Sequence, residues 1–186
     1  MKRKIIIAAF AATSLLFYST QTFALISVSA GVPFSHSFSK DYKSDGTSGY
    51  FLAVELPVLV GVGIDKYKTK DKETPGMKIE TSMYNIFYTL PIPIINLTLG
   101  LGMGETELTC PAGTLGSGTP VCSTIYDKGN ASQWYTSVGM PILPFFDLHL
   151  SYRSVTAKKM KVKAPYGDET LDFSGSVMGL GIKFGF

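Results

Sequence analysis

The sequence predicts an all-β protein: one transmembrane antiparallel up-and-down β-barrel of eight strands, with four long extracellular loops and three short periplasmic turns. Three observations predict it. Past residue 24, apolar residues alternate with small or polar ones in eight segments and never hold helical spacing for three turns. The connections between the segments alternate long and short, as in outer-membrane barrels. The polar side of the segments carries few charges, whereas a wall facing water needs many.

The chain begins Met1, Lys2, Arg3, Lys4, runs apolar from Ile5 to Phe17 and reaches a small-x-small exit at Thr22, Phe23, Ala24. This is the pattern of a secretory signal peptide, expected to span 1–24, because the apolar run is shorter than the ~20 residues a spanning helix needs. The remaining 25–186 form one domain. Removing Lys2, Arg3 and Lys4 takes the seventeen basic residues to fourteen, equal to the fourteen acidic ones. The net charge therefore gives no argument for nucleic acid. Cys110 and Cys122 flank a stretch rich in Gly, Thr, Ser and Pro, and in an exported chain they are expected to form a disulfide.

The first segment sets Ile26, Val28, Ala30, Val32 and Phe34 against Ser27, Ser29 and Gly31, and the second sets Tyr50, Leu52, Val54 and Leu56 against Phe51, Ala53 and Glu55. The third alternates from Val58 to Asp65. The fourth places Tyr84, Ile86, Tyr88 and Leu90 opposite Asn85, Phe87 and Thr89, and the fifth places Ile95, Leu97, Leu99, Leu101 and Met103 opposite Asn96, Thr98 and three glycines. The sixth carries Trp134, Thr136, Val138 and Met140, the seventh Phe146, Leu148, Leu150 and Tyr152, and the eighth runs from Met178 to Phe186. Long loops are expected near 35–48, 66–78, 105–131 and 154–170. Tight turns are expected at Pro57, Pro91 to Pro93 and Pro141 to Pro144, since proline cannot donate to a sheet ladder.

Small residues suit the crowded interior of an eight-stranded barrel, so the apolar face is expected to meet lipid. Tyr50, Tyr84, Tyr88, Trp134 and Tyr152 on that face are candidates for interfacial aromatic girdles. The ionisable residues of the other face are Glu55, Asp65, Asp147, His149, Arg153 and Lys183. Charges in a narrow lumen must be paired, so Glu55, Asp147, His149, Ser151, Arg153 and Lys183 are expected to form a polar cluster that plugs it.

The signal peptide, the eight alternating segments and the terminal run Leu180, Gly181, Ile182, Lys183, Phe184, Gly185, Phe186 resemble the small eight-stranded outer-membrane proteins, the group of the OmpA transmembrane domain, OmpX and the opacity-type barrels. The resemblance implies a location in the outer membrane of a Gram-negative bacterium. It also implies recognition of Phe184 and Phe186 by the barrel-assembly machinery. Partners implied are outer-membrane lipid and lipopolysaccharide and an extracellular ligand of the loops, with a monomeric state.

His149, Leu150, Ser151 is similar to the His-x-Ser of outer-membrane lipid A deacylases, but the parity of these residues turns them into the lumen, and Ser151 is not followed by Asn. The basic run Lys158 to Lys163 is a candidate for lipopolysaccharide phosphates, offset by Asp168, Glu169 and Asp172. The lysines between 66 and 78 are likewise interleaved with Asp71 and Glu73. No cofactor or metal is expected: Gly100, Gly102 and Gly104 alternate along a strand and open no helix, and no His/Asp/Glu set has ligand spacing. The function expected is a non-enzymatic surface or structural barrel with a filled lumen. A narrow channel and a lipid A-modifying enzyme are the alternatives.

Overall fold

The computed structural model describes residues 26–40, 42–92, 94–110, 122, 125–143, 145–157, 160–163 and 170–186. The expected signal peptide lies outside them, as do Lys158, Lys159, Asp168 and Glu169. The strands are β1 (Ser27–Phe38), β2 (Ser44–Glu55), β3 (Val60–Asp71), β4 (Lys78–Ile92), β5 (Ile95–Thr109), β6 (Gly129–Leu143), β7 (Phe146–Thr156), β8 (Met160–Lys161), β9 (Thr170–Leu171) and β10 (Gly175–Gly185).

Eight of these close a barrel in the order β1-β10-β7-β6-β5-β4-β3-β2, with every neighbouring pair antiparallel, while β8 and β9 form a small separate hairpin. The ring is staggered. Following cross-strand partners from Ser27 through Glu55, Gly61, Phe87, Gly100, Tyr135, Arg153 and Val177 returns the path to His36, nine residues further along β1 (27 to 36). Such a shear accompanies the strand tilt that closure of a small barrel requires.

Period-two alternation sends Val28, Val32, Leu52, Val62, Ile64, Ile86, Leu99, Leu101, Val138, Leu150, Leu180 and their like outward, where they are exposed. On β4 the exposed apolar side runs from Tyr84 to Ile92. These nine residues cover roughly 30 Å along the strand, or roughly 23 Å after a tilt of about 40°. A continuous exposed band of this kind is stable against hydrocarbon and not against water. The inward side is filled. Gly61 faces the Phe87 ring and Gly100 the Tyr135 ring so closely that a Cβ at either would overlap the ring, so these two positions accept no larger residue without repacking.

Three of the four expected loops are shorter than their polar sequence suggested, because the strands continue past the apolar band with the pattern inverted, while the connection between β7 and β10 keeps its length and is displaced towards β10. β3 reaches Asp71 and β5 reaches Thr109, with Tyr67, Ile79, Met83, Leu108, Ala131, Val155 and Val177 buried inside and lysines, glutamates, serines and threonines outside. This end of the barrel has the polarity of a water-soluble sheet: apolar residues pack inside, joined by Met160 and Phe173 from the long connection between β7 and β10. Cys110 and Cys122 are joined by a disulfide, as expected, with Cα atoms 5.5 Å apart, and Cys122 is buried in the same core.

At the opposite end the connections are tight. Leu59 and Ile94 hold positive φ (63° and 91°) in two of these turns, a strained conformation for a side chain branched at Cβ such as Ile94. Pro91 and Pro141 lie inside β4 and β6 and not in the turns, each near its strand's end, where a missing donor costs least. The β1–β2 seam pairs only from Ser27↔Glu55 to Gly31↔Phe51. Beyond it lies Pro33, which has no N–H to give, followed by a bulge between Pro33 and Ser35. The bulge reverses the parity of β1, so Phe34 points out and His36 points in, onto Thr69 Oγ1 at 2.8 Å.

Candidate functional site

The lumen is built in three tiers, each set by the inward residues of strands that face one another. At the short-turn end Glu55 comes from β2 and Lys183 from β10. Lys183 Nζ donates to both Glu55 oxygens at 3.0 and 3.1 Å, and Thr89 Oγ1 donates to Glu55 Oε2 at 2.5 Å. Asp147 accepts from Asn96 Nδ2 at 2.7 Å, and His149 Nδ1 lies 3.1 Å from Ser137 Oγ. Glu55, Lys183, Asp147, Asn96, His149 and Ser137 border a cavity of about 60 Å³ that reaches up to Asp65 and Arg153, space for a handful of waters at ~15 Å³ each.

The middle tier closes the tube. Arg153 Nε and Nη2 donate to Asp65 Oδ2 and Oδ1 at 2.8 and 3.3 Å, and Gln133 Nε2 donates to Asp65 Oδ2 at 2.7 Å and to Asn85 Oδ1 at 2.6 Å. β3 and β7 stand four steps apart in the ring of eight, so the Asp65–Arg153 pair bridges the full diameter of the lumen. The guanidinium carbon also lies 3.5 Å from the centroid of the Phe51 ring and 5.0 Å from that of Tyr135. Both charged partners are almost wholly buried. A buried ion pair is stable only when its remaining hydrogen-bonding groups are also satisfied, and here Gln133, Ser151 and the two rings complete the shell. Above this tier the apolar core of Tyr67, Ile79, Met83, Leu108, Val155 and Val177 fills the tube.

Of the six residues expected to cluster, all face inward, but they divide between two tiers. Glu55 pairs with Lys183, Arg153 holds the Ser151 hydroxyl, and Asp147 and His149 bind Asn96 and Ser137. Arg153 takes its carboxylate from Asp65, which lies outside the expected cluster although its polar-face position was evident. Asn85, Asn96, Gln133 and Ser137 are neutral, so charge gave no signal for them; their place in the inward alternation did. Ser151 donates to the Gly179 carbonyl at 3.2 Å and accepts from Arg153, while the hydroxyl against His149 is that of Ser137. Among the described residues no group of three His, Cys, Asp or Glu could hold a metal ion.

Tyr50, Tyr84, Tyr88, Trp134 and Tyr152 are all exposed on the outer wall. Trp134 and Tyr152 are in ring contact at 5.8 Å. Phe184 and Phe186 also point outward at the end of β10. Of the basic run after residue 157, Met160 is buried and Lys163 pairs with Asp127 at 3.4 Å.

No family model matches the chain, and no curated protein matches its sequence. Solved structures do match its shape. Neisserial surface protein A is 15% identical over 87% of this chain and 97% of its own, with a TM-score of 0.58. The outer membrane protein W of E. coli is 10% identical over 88% and 98%, at 0.54. The attachment invasion locus protein Ail of Yersinia pestis, solved with the heparin analogue sucrose octasulfate, is 13% identical over 87% and 96%, at 0.51. The chain has the fold of the small eight-stranded outer-membrane β-barrels.

Proposed function

We propose that the protein is a non-conducting surface barrel of the outer membrane, whose long-loop end faces the exterior and displays the binding surface. The orientation follows the rule that outer-membrane barrels turn their short connections to the periplasm. On this reading Tyr50, Tyr84, Trp134 and Tyr152 lie towards the outer interface and Tyr88 towards the inner one, and Phe184 and Phe186 present the strand end read by the assembly machinery. No hydrolytic role is assigned to His149 and Ser151, which are engaged with other partners inside the wall.

The observation that carries the reading is the Asp65–Arg153 bridge across the lumen with an apolar core stacked above it. An ion crossing here would have to displace a paired, hydrogen-bonded charge and then pass a segment packed with aliphatic and aromatic groups, whose interspersed polar side chains are in part bonded to one another, His36 to Thr69 and Thr81 to Thr106. Planar-bilayer recording of the refolded protein tests this. The expected trace is flat; reproducible single-channel steps from the native protein would establish a channel and remove the closed-lumen reading.

A further inference from the structure

In the sequence, the lysines between residues 66 and 78 are balanced by interleaved acids. The fold separates them. Because β3 continues to Asp71, alternation buries Asp65, Tyr67, Thr69 and Asp71 inside the barrel and leaves Lys66, Lys68 and Lys70 exposed outside. β4 adds Lys78, directly opposite Lys70 and on the same outer face, since its neighbour Ile79 is buried. Like charges facing each other across two strands repel, and an anion placed between them reverses the sign of that contact.

Of the nearby acids, Asp45 stands exposed in the bulge of β2, and those on the faces that flank the lysines are engaged. Glu80 binds Lys68 at 2.6 Å, Glu73 binds Lys43 at 2.9 Å, and Glu105 and Glu107 on β5 bind Lys128 at 3.4 and 3.1 Å. Among the described residues, Lys66, Lys70 and Lys78 have no carboxylate within 4.0 Å. Their height on the wall identifies what they meet. Ile64 and Tyr84 are cross-strand partners at the top of the apolar band, and Tyr50 is the partner of Lys66. Lys66 is the next outward position above Ile64, about 7 Å higher along the strand, and Lys70 stands two outward positions above that. The cations therefore begin where hydrocarbon ends and rise through the headgroup layer, their apolar stems able to lie along the wall.

We propose that this outer face of β3 and the adjoining end of β4 form a binding site for the phosphate groups of outer-leaflet glycolipid, with Lys66, Lys70 and Lys78 as the anion contacts and Tyr50 and Tyr84 against the boundary between acyl chain and sugar. The site is a strand wall and not a loop. It rests on the outer-membrane location and orientation proposed above and is independent of whether the lumen conducts.

Full-length refolded protein in neutral detergent, titrated with fluorescently labelled deep-rough lipopolysaccharide at fixed salt, tests the site. The panel is wild type, the triple variant K66Q/K70Q/K78Q, its arginine counterpart K66R/K70R/K78R, and K40Q, which removes a lysine paired with Asp172 past the end of β1. Loss of affinity of about fivefold per lysine is expected in the glutamine variant, with the arginine variant and K40Q binding as wild type does. Chemically dephosphorylated lipopolysaccharide should bind wild type no better than the phosphorylated form binds the glutamine variant. Heat-dependent gel mobility checks that each variant is folded, and the single glutamine variants replace the triple one if it is not. Equal binding by wild type and glutamine variants, or indifference to dephosphorylation, overturns the proposal. So does tighter binding of sucrose octasulfate than of lipopolysaccharide, which would make the face a site for soluble polyanions.

Discussion

Asp65 and Arg153 set the stability of the middle of the barrel more than any other pair of side chains, because each is buried and each is the other's countercharge. Removing one leaves an uncompensated charge in a poorly solvated tube, at a cost of about 3–5 kcal/mol. Asp65→Asn and Arg153→Met are each expected to lower the unfolding free energy by that amount in urea titrations, read from the fluorescence of the single tryptophan, Trp134. The double variant Asp65→Asn with Arg153→Met should recover much of the loss, because it removes both charges and keeps volume. Full additivity of the two single losses in the double would show that the pair does not act as a unit. That Asp65 and Arg153 both face inward is evident from their places in the alternation. That they face each other is not, since nothing within either strand says which residues lie across the ring.

At the scale of the strand, one face changes its chemistry along its length. The outer side of β5 goes from Ile95 through Leu99 and Met103 to Glu105 and Glu107, while its inner side goes from Asn96 and Thr98 to Thr106 and Leu108. The lower part is dressed for lipid and the upper part for water. This inversion explains why the upper parts of the strands read as polar loops in the sequence: a search for apolar residues at every second outward position ends where the bilayer ends, although the hydrogen-bonded ladder does not. The boundary can be mapped by substitution. Leu99→Lys, mid-band on the outer face, is expected to cost about 2–4 kcal/mol in bilayer unfolding measurements. Asn130→Lys, outward on β6 opposite Glu105, is expected to stay within ~0.5 kcal/mol of wild type. Equal losses at the two positions would place both in the same solvent and refute the boundary.

For the whole molecule, a ring of eight neighbouring strands closes the sheet, with one seam, β1–β2, paired only along its lower part from Ser27 to Gly31. A closed ring of this kind is expected to survive detergent without heating and to migrate on a gel differently from the boiled chain. A single position for heated and unheated samples of the membrane fraction would contradict a closed barrel.

The sequence by itself determined which side of each strand is greasy and which is small or polar, hence the barrel, its lipid-facing wall, the disulfide and the inward set of ionisable groups. Those properties are local: alternation is written into residues two apart. Tertiary structure alone decided that Arg153 meets Asp65 across the lumen, that the polar groups separate into tiers, and that Lys66, Lys70 and Lys78 stand together outside while Asp71 is hidden. These depend on the stagger with which the ring closes and on how far the strands climb past the bilayer, both set by pairing between segments distant in the chain.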